Sequence, residues 1–200
     1  MKILAVSDIH CSFHYSSVIA LEAVKNNCDL ILIAGDIECT DPLEEFIATG
    51  IRVFGVTGNL DDPYIYRFMK ERNIAIDGNV TYYSSVRIIG LGGLSLKSNI
   101  ERVKKTLEQD KEEKKTIVLS HYPAYGFNDV VYSGYHAGLH ELKEFIEEYK
   151  PVLFIHGHIH EARGVAKYHN TVIVNPGPAM HGYYAIIDLN EEIKVDLRQV

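Results

Sequence analysis

Short runs of apolar, mostly β-branched residues recur along the chain, and each run ends at a glycine or a polar residue. These runs cover residues 3–6, 30–34, 52–56, 116–119 and 152–155. Continuous apolar runs of this length are typical of strands that are buried on both faces. The pattern therefore predicts five buried strands, each followed directly by a turn.

Helical spacing fills much of the sequence between these strands. The apolar positions that indicate helices are Val18, Leu21, Val24, Ile100, Val103, Leu107, Leu139, Leu142, Phe145, Ile146 and Tyr149. The last stripe stops at Lys150-Pro151, because proline disfavours helical geometry at the residue before it. A further helix start is indicated at Asp41, with Pro42 as its first helical residue.

After Gly78 the predicted strands outnumber the predicted helices. Residues 80–83 and 86–91 are expected to form the two arms of a hairpin, and residues 164–168, 171–174, 183–189 and 193–197 four more strands. No internal repeat, low-complexity tract or linker interrupts the sequence, so residues 1–200 are expected to form one domain. The order of elements predicts an α/β protein, with βαβ units followed by an antiparallel or mixed sheet.

Composition and charge narrow the class of protein. Of the 200 residues, 46% are hydrophobic and 24% are charged, which is ordinary for a globular domain. The formal net charge of −7 argues against non-specific binding to nucleic acid, which needs a basic face. Small anionic substrates stay open, because a metal cluster can create a positive pocket on an acidic protein.

The cysteines and the N-terminus bear on the compartment. Cys11, Cys28 and Cys39 are odd in number and form no CxxC pair, so we expect Cys11 and Cys39 to be reduced thiols. The apolar run 3–6 is too short for a signal peptide or a membrane span. A cytoplasmic location without a membrane partner is therefore expected.

Metal-ligand side chains follow five of the predicted strands. They are Asp8, His10, Asp36, Asn59, His121, His158 and His160. Two residues that are separated by one position point the same way in extended backbone, and Asp8-x-His10 and His158-x-His160 both have this spacing. The carboxyl ends of strands are where α/β sheets hold their sites. Two divalent ions about 3.5–4 Å apart need a bridging carboxylate together with several oxygen and nitrogen ligands.

Each of these motifs also has a plainer interpretation when it stands alone. Asp36 and Asn59 follow glycines, where such residues commonly cap a helix or form a turn. His121 could be a packed histidine at the end of a strand. His158-x-His160 is the strongest single element, since two imidazoles on one face rarely serve packing. The joint pattern is what favours a metal site.

The complete set of motifs resembles a known family. The motifs are Asp8-Ile9-His10, Gly35-Asp36, Gly58-Asn59-Leu60-Asp61, His121 and Gly157-His158-Ile159-His160. In this order and spacing, over nearly the whole chain, they resemble the calcineurin-like metallophosphoesterase superfamily. Residues 156–164 and the segment Asn175-Pro176-Gly177-Pro178 resemble its small prokaryotic and archaeal phosphodiesterase-like branch.

The resemblance implies a four-layer α/β/β/α sandwich, with two mixed sheets flanked by helices and the metals at one edge of the sheets. It implies a first divalent ion on Asp8, His10, Asp36 and His160, and a second on Asp36, Asn59, His121 and His158. Manganese is favoured, with iron, zinc, nickel or cobalt as alternatives, because mixed carboxylate and imidazole shells suit these ions rather than calcium. His156 lies outside the motif, and we expect it to be packed or to support a ligand.

The expected reaction follows from charge. A water shared by two cations loses a proton near neutral pH, and the resulting hydroxide attacks phosphorus while the cations offset the charge on the phosphoryl oxygens. We therefore expect a metal-dependent hydrolase of phosphodiesters, with phosphomonoesters as the alternative within the same chemistry. The substrate is expected to be a small phosphate ester, and a nucleotide is one option.

One position departs from the family pattern. Members commonly carry a histidine that assists the leaving group after the asparagine of the third motif, and here that position is Leu60. General-acid help is worth about 10²–10⁴-fold, so poor leaving groups are expected to react slowly unless another side chain substitutes. His136 is the first candidate, ahead of His14 and His181. Asp61 is expected to orient a neighbour rather than to contact metal.

Arg163 could contact a substrate phosphate, or it could pair with a surface acid such as Glu161. Two rival functions remain. A metal-binding scaffold or regulatory protein that has lost turnover is compatible with Leu60, although it would not need an intact ligand set. A metallo-β-lactamase-like hydrolase is a poorer match, because that class wants an Asp-His pair where this chain has Glu161-Ala162.

Overall fold

The computed structural model describes residues 1–110, 112 and 114–200. The strands in these ranges are β1 Lys2–Val6, β2 Leu30–Ala34, β3 Arg52–Val56, β4 Val80–Tyr83, β5 Val86–Leu91, β6 Thr116–Ser120, β7 Leu153–Ile155, β8 Gly164–Tyr168, β9 Thr171–Asn175, β10 Tyr183–Leu189 and β11 Ile193–Gln199. The helices are α1 Phe13–Lys25, α2 Thr40–Ala48, α3 Pro63–Glu71, α4 Leu96–Leu107 and α5 His140–Tyr149. Short 3₁₀ turns cover Gly93–Ser95, His160–Ala162 and Ala179–His181.

The strands form two mixed sheets. The first has the order β11-β10-β1-β2-β3, and the second has the order β4-β5-β6-β7-β9-β8. Strands β1, β2 and β3 are parallel, as are β5, β6, β7 and β9, whereas β10, β11, β4 and β8 pair antiparallel to their neighbours. The carboxyl ends of the parallel strands in each sheet therefore lie at one edge, where the polar residues after them can meet.

Alternating side chains make the sheets the two inner layers of a sandwich. In β1, Ile3 and Ala5 pack into a core that Ile117 and Leu119 of the second sheet share. Leu4 and its neighbours on the opposite face pack against α1, α2 and α3. The outer face of the second sheet packs against α4 and α5. The predicted α/β class and the four-layer α/β/β/α arrangement are confirmed.

Most predicted strands match those of the structure, whereas the helices differ more. Leu21 and Val24, which indicated α1 by their spacing, are 56% and 48% exposed. The buried face of α1 carries Ile19 and small residues instead. Helix α2 begins at Thr40, two residues before the proline that was expected to start it.

Helix α3 was missed, although its start carries a clear signal. Asp62 caps the helix by accepting hydrogen bonds from the backbone N–H of Tyr64 and Ile65, and Pro63 is the first helical residue. In the part of the chain that the structure describes, no helix combines the length and the apolar character needed to cross a bilayer.

The buried face of α1 gives a testable prediction. Ile19 is 0% exposed, so Ile19→Ala should lower the free energy of unfolding by about 2–5 kcal/mol through lost packing. Leu21→Ala, two positions away on the exposed face, should change it by less than about 0.5 kcal/mol. Urea unfolding of both variants checks this. Equal losses in the two variants would show that the helix faces the sheet differently.

Candidate metal centre

The polar residues after the parallel strands lie in tight loops at the shared edge of the sheets. Asp8, His10, Asp36 and His158 all have positive φ, at 54°, 45°, 51° and 70°. This left-handed conformation is uncommon for residues other than glycine and is frequent at functional sites. Gly58 has to be a glycine, because a Cβ there would overlap the carboxylate of Asp36. The loops after β2 and β3 can therefore touch each other.

One group of ligand atoms consists of Asp8, His10 and His160, which lie within 4.8 Å of one another. His160 Nε2 lies 3.5 Å from Asp8 Oδ1, and His10 Nε2 lies 3.3 Å from His160 Nε2. His10 donates through Nδ1 to Glu38 Oε1 at 2.6 Å, which leaves the Nε2 lone pair facing the other imidazole. Two imidazole nitrogens and a carboxylate oxygen that converge in this way suit a divalent cation.

A second group consists of Asp36, His121 and His158, also within 4.8 Å of one another. His121 Nε2 lies 3.5 Å from Asp36 Oδ2 and 2.8 Å from Asn59 Oδ1. His121 donates through Nδ1 to the carbonyl oxygen of Ala34 at 2.9 Å, so its Nε2 is again the nitrogen free to bind a metal.

The two groups are joined. The backbone N–H of His158, from the second group, donates to both carboxylate oxygens of Asp8, from the first, at 3.2 and 3.1 Å. Asp36 Oδ1 accepts from the backbone N–H of Leu60 at 2.9 Å. The structure therefore brings all seven sequence-predicted ligands to one place, in two neighbouring sets.

The charges at this place favour bound cations. Asp8 and Asp36 are only 1% and 3% exposed, and in the described residues their ion-pair partners are histidines rather than lysine or arginine. Burial raises the pKa of Asp36. Burial also opposes ionisation of Asp8, but its contact with His160 and the nearby His121 lower its pKa overall. Buried carboxylates without a strong basic partner are costly unless a cation compensates them, so the donor set fits divalent metals.

The histidines respond to the same environment. Burial, followed by the nearby His121, lowers the pKa of His158, which keeps its imidazole neutral as a metal ligand requires. The contact with Asp8 raises the pKa of His160. His156 is completely buried, and burial lowers its pKa to about 4, so it is a neutral packed residue.

Asp61 holds the ligand loops together without belonging to either group. Its Oδ1 accepts from the backbone N–H of Ile37 and Glu38 at 2.8 and 2.7 Å, and its Oδ2 accepts from Gly58 at 2.7 Å. The carboxylate thus ties the loop after β2 to the loop after β3. The orienting role expected for Asp61 stays a prediction.

The other candidates belong to neither group. Leu60 is 58% exposed. His136 donates through Nδ1 to Asp129 Oδ1 at 2.7 Å and makes no described hydrogen bond to a ligand. The exposed His14 and His181 also do not contact the ligands in the described contacts. Arg163 donates to the carbonyl oxygens of Pro176 and Arg198.

Glu161 is not the partner of this arginine, because it accepts from the backbone N–H of Tyr132 at 2.8 Å. The sequence did not point to two residues. They are Glu38, which is hydrogen-bonded to His10, and Asp129, which is fully buried. Glu38 follows Asp36 by two positions, and that closeness was the available signal. No comparable signal marks Asp129, whose partners come from within a long loop.

The expectation of reduced thiols at Cys11 and Cys39 is wrong. The structure joins these residues in a disulfide, with a Cα–Cα distance of 4.9 Å across a sequence separation of 28 residues. Spacing rules failed because the loops after β1 and β2 meet only in the folded protein. Cys28 is a free, buried cysteine.

Comparisons with known proteins agree with this geometry. Residues 1–192 match the model of the calcineurin-like phosphoesterase superfamily domain. An uncharacterized protein of Methanocaldococcus jannaschii is 27% identical over 205 residues, covering 92% of this chain and 91% of the archaeal protein.

Three solved structures share the fold. The protein TT1561 of Thermus thermophilus has a TM-score of 0.80 at 18% identity, covering 99% of this chain and 98% of its own. A novel archaeal phosphodiesterase has a TM-score of 0.65 at 18% identity, covering 99% and 100%. A dimetal phosphatase from Danio rerio has a TM-score of 0.70 at 12% identity, covering 100% and 96%.

The three hydrogen bonds that Asp61 accepts from the ligand loops give a testable prediction. In Asp61→Asn one oxygen becomes an NH₂ group that faces backbone donors, so the loops should separate and the affinity for Mn²⁺ should fall about 10- to 100-fold. The paramagnetic resonance of free Mn²⁺ during titration measures this. Asp62→Asn is the matched control, because asparagine caps a helix about as well as aspartate. Equal Mn²⁺ affinity in Asp61→Asn and the unaltered chain would show that Asp61 does not hold the two loops in place.

Proposed function

The chain belongs to the calcineurin-like phosphoesterase superfamily, and from its site we propose that it hydrolyses phosphodiesters with two bound divalent metal ions. The observation that carries this proposal is the pair of ligand groups joined by the hydrogen bonds from His158 to Asp8. Family membership supports a metal-dependent hydrolase of phosphate esters. The dinuclear centre and the preference for diesters are the proposal.

The residues of this chain have separate tasks in the proposed reaction. Asp8, His10 and His160 would hold one ion, and Asp36, Asn59, His121 and His158 would hold the other; Asp36 is proposed to serve the first ion as well. When bound, the ions supply positive charge that activates water and offsets charge on the phosphoryl oxygens. Manganese is the ion proposed, because carboxylate and amide oxygens with imidazole suit it. The Nδ1 bonds of His10 and His121 keep their Nε2 atoms directed at the site.

Leu60 supports diesters or activated esters over simple alkyl monoesters. Its side chain is exposed beside Asn59 and carries no proton to give to a leaving group. One structural neighbour is a phosphodiesterase and another is a dimetal phosphatase, so monoesters remain the second candidate within the same chemistry. A scaffold without turnover is the third candidate, favoured only by Leu60.

The loop residues that follow the His158-x-His160 motif support a small substrate. An open depression of about 510 Å³ is lined by residues 128–132 and 161–163, and the second range begins at the residue that follows His160 in the sequence. Tyr132, which lines it, is 91% exposed, and Tyr135 in the same loop is 74% exposed. Aromatic side chains of this kind can stack on a nucleobase. We therefore propose a small phosphate ester, a nucleotide being one option, with Arg163 at the wall of this depression as a candidate phosphate contact.

His136 is the proposed substitute for the missing proton donor. Nδ1 of His136 donates to the completely buried Asp129, and the side chain of His136 is 42% exposed. This arrangement fixes the ring orientation and leaves Nε2 free, as in histidines that donate protons. The cytoplasmic location and the absence of membrane and non-specific nucleic-acid partners stay predictions.

The central prediction is that metal-loaded protein cleaves bis-aryl phosphates and that Asp36→Asn does not. The variant weakens a ligand proposed to serve both ions. Loss of a residue that only hydrogen-bonds to a ligand lowers activity about 10- to 100-fold, so loss of the ligand itself should lower turnover with added Mn²⁺ by more than about a hundredfold. Metal analysis should find two ions per chain. Asp196→Asn, at an exposed ion pair with Arg198, is the matched control.

The ratio of bis-aryl to mono-aryl phosphate turnover then separates the two reactions. A ratio above one supports the diesterase, and a ratio well below one replaces it with the phosphatase. If two ions bind but neither ester turns over, the scaffold is the better description.

A second prediction concerns His136. His136→Gln should slow cleavage of alkyl esters by about 10²-fold or more, because an alkoxide needs a proton as it leaves. Aryl esters, whose leaving groups are stable without a proton, should be affected less than about threefold. Initial rates on matched aryl and alkyl diesters measure the effect, with His14→Gln as the exposed-histidine control. Unchanged alkyl-ester turnover in His136→Gln would rule out this role.

A further inference from the structure

The Cys11–Cys39 disulfide lies where two ligand loops run side by side. The loop after β1 donates from the backbone N–H of Ile9 and His10 to the carbonyl oxygen of Asp36, at 2.8 and 3.0 Å, and from Cys11 to Ile37 at 3.1 Å. The disulfide follows directly and is the covalent end of this row of contacts. It therefore links the two loops covalently.

The disulfide is also adjacent to one ligand group. Cys11 follows His10, and Cys39 follows Glu38, the residue that fixes His10 through Nδ1. His10, Cys11 and Glu38 all have positive φ, at 45°, 58° and 63°. These conformations are uncommon for such residues and have to be held by surrounding contacts. The disulfide, which joins Cys11 to the residue that follows Glu38, is one of those contacts.

We propose that Cys11 and Cys39 form a redox-active pair whose oxidation state sets the affinity of the group Asp8, His10 and His160 for its divalent ion. The inference rests on the proposed metal centre. With the disulfide formed, His10 is held against Glu38, whose loop Asp61 also fixes, in the geometry that directs Nε2 of His10 into the site. When both cysteines are thiols, only backbone hydrogen bonds hold the loops together. The loops can then separate, and binding of the cation has to order them.

The second ligand group should respond much less, although Asp36 is proposed to serve both ions. His121 is fixed by the carbonyl oxygen of Ala34, and the loop of Asp36 is fixed by Asp61. None of these contacts involves either cysteine. Opening the disulfide should therefore weaken one metal site far more than the other, which a general loosening of the fold would not do.

The pair is placed for exchange with external thiols. Cys11 is exposed and Cys39 half-buried, whereas Cys28 is only 6% exposed, and burial raises the pKa of its thiol to about 11. A dithiol attacks Sγ of Cys11, the S–S bond breaks, and Sγ of Cys39 leaves with the electron pair and takes a proton. The second thiol of the reagent then releases Cys11 as a thiol. The protein gains two electrons and two protons, and the dithiol becomes its disulfide.

Mn²⁺ binding to the oxidised and reduced forms tests the proposal. Metal-free protein is oxidised with glutathione disulfide or reduced with dithiothreitol, and the reagent is removed before titration. Thiol counting in denaturant should give one thiol in the oxidised form and three in the reduced form. Mn²⁺ is the probe because it prefers oxygen and imidazole ligands, so freed thiols should not bind it. Free Mn²⁺ is followed by its paramagnetic resonance.

Two sites should be seen in the oxidised form. In the reduced form one dissociation constant should rise about tenfold, as for loss of a group that orients a ligand, and the other should stay within twofold. The double variant Cys11→Ser/Cys39→Ser should match the reduced form under both treatments. Cys28→Ala, the matched control, should keep the difference between the two forms.

The outcomes separate this inference from the proposed function. Two sites with equal constants in both forms, or three thiols after oxidation, would overturn the redox role and leave the metal centre intact. Loss of both sites on reduction would overturn the selective effect. No binding of Mn²⁺ in either form would overturn the metal centre and the redox role together.

Discussion

Two carboxylates that are almost completely buried, Asp8 and Asp36, set the main constraint on this structure. Both lie at the carboxyl ends of neighbouring parallel strands, β1 and β2, whose apolar residues fill the cores on either side of the sheet. Burying the strands therefore buries the negative charges that follow them. In the described residues histidines are their ion-pair partners, so stability of the sheet edge and cation binding are linked.

The protein meets this constraint with backbone hydrogen bonds as well as side chains. Asp61 accepts three backbone N–H groups, Asp36 accepts one, and Asp8 accepts the N–H of His158. Apart from the bond from Gly58, which lies in the same loop as Asp61, each bond ties one loop to another, so the ligand positions depend on several strands at once. This arrangement explains how residues with unfavourable positive φ can be kept in place.

The sequence revealed the parts of the site that depend on local pattern. Continuous apolar runs located five of the described strands, and the seven predicted ligands, which the structure brings together, could be picked out because each follows a strand end in a recurring motif. The residues that support the predicted ligands and His136 could not be recognised in this way. Glu38 and Asp129 act through contacts made by folding, and the Cys11–Cys39 pair joins loops that are 28 residues apart.

The same distinction explains the errors in the helices. The spacing of Leu21 and Val24 indicates that a helix forms, but the face that packs is decided by which side chains fit against the sheet, and here small residues and Ile19 do.

The two ligand groups differ in how they are supported, and this difference bears on how such a site can vary. His121 directly follows β6, Asp36 closely follows β2, and the carbonyl oxygen of Ala34, in β2, fixes His121. His10 and His160 lie farther from their strands and depend on Glu38 and on a short 3₁₀ turn. A change in the loops can therefore alter the first group without disturbing the second. The same sheet frame can thus carry metal sites of different affinity, and the loops, rather than the strands, decide which.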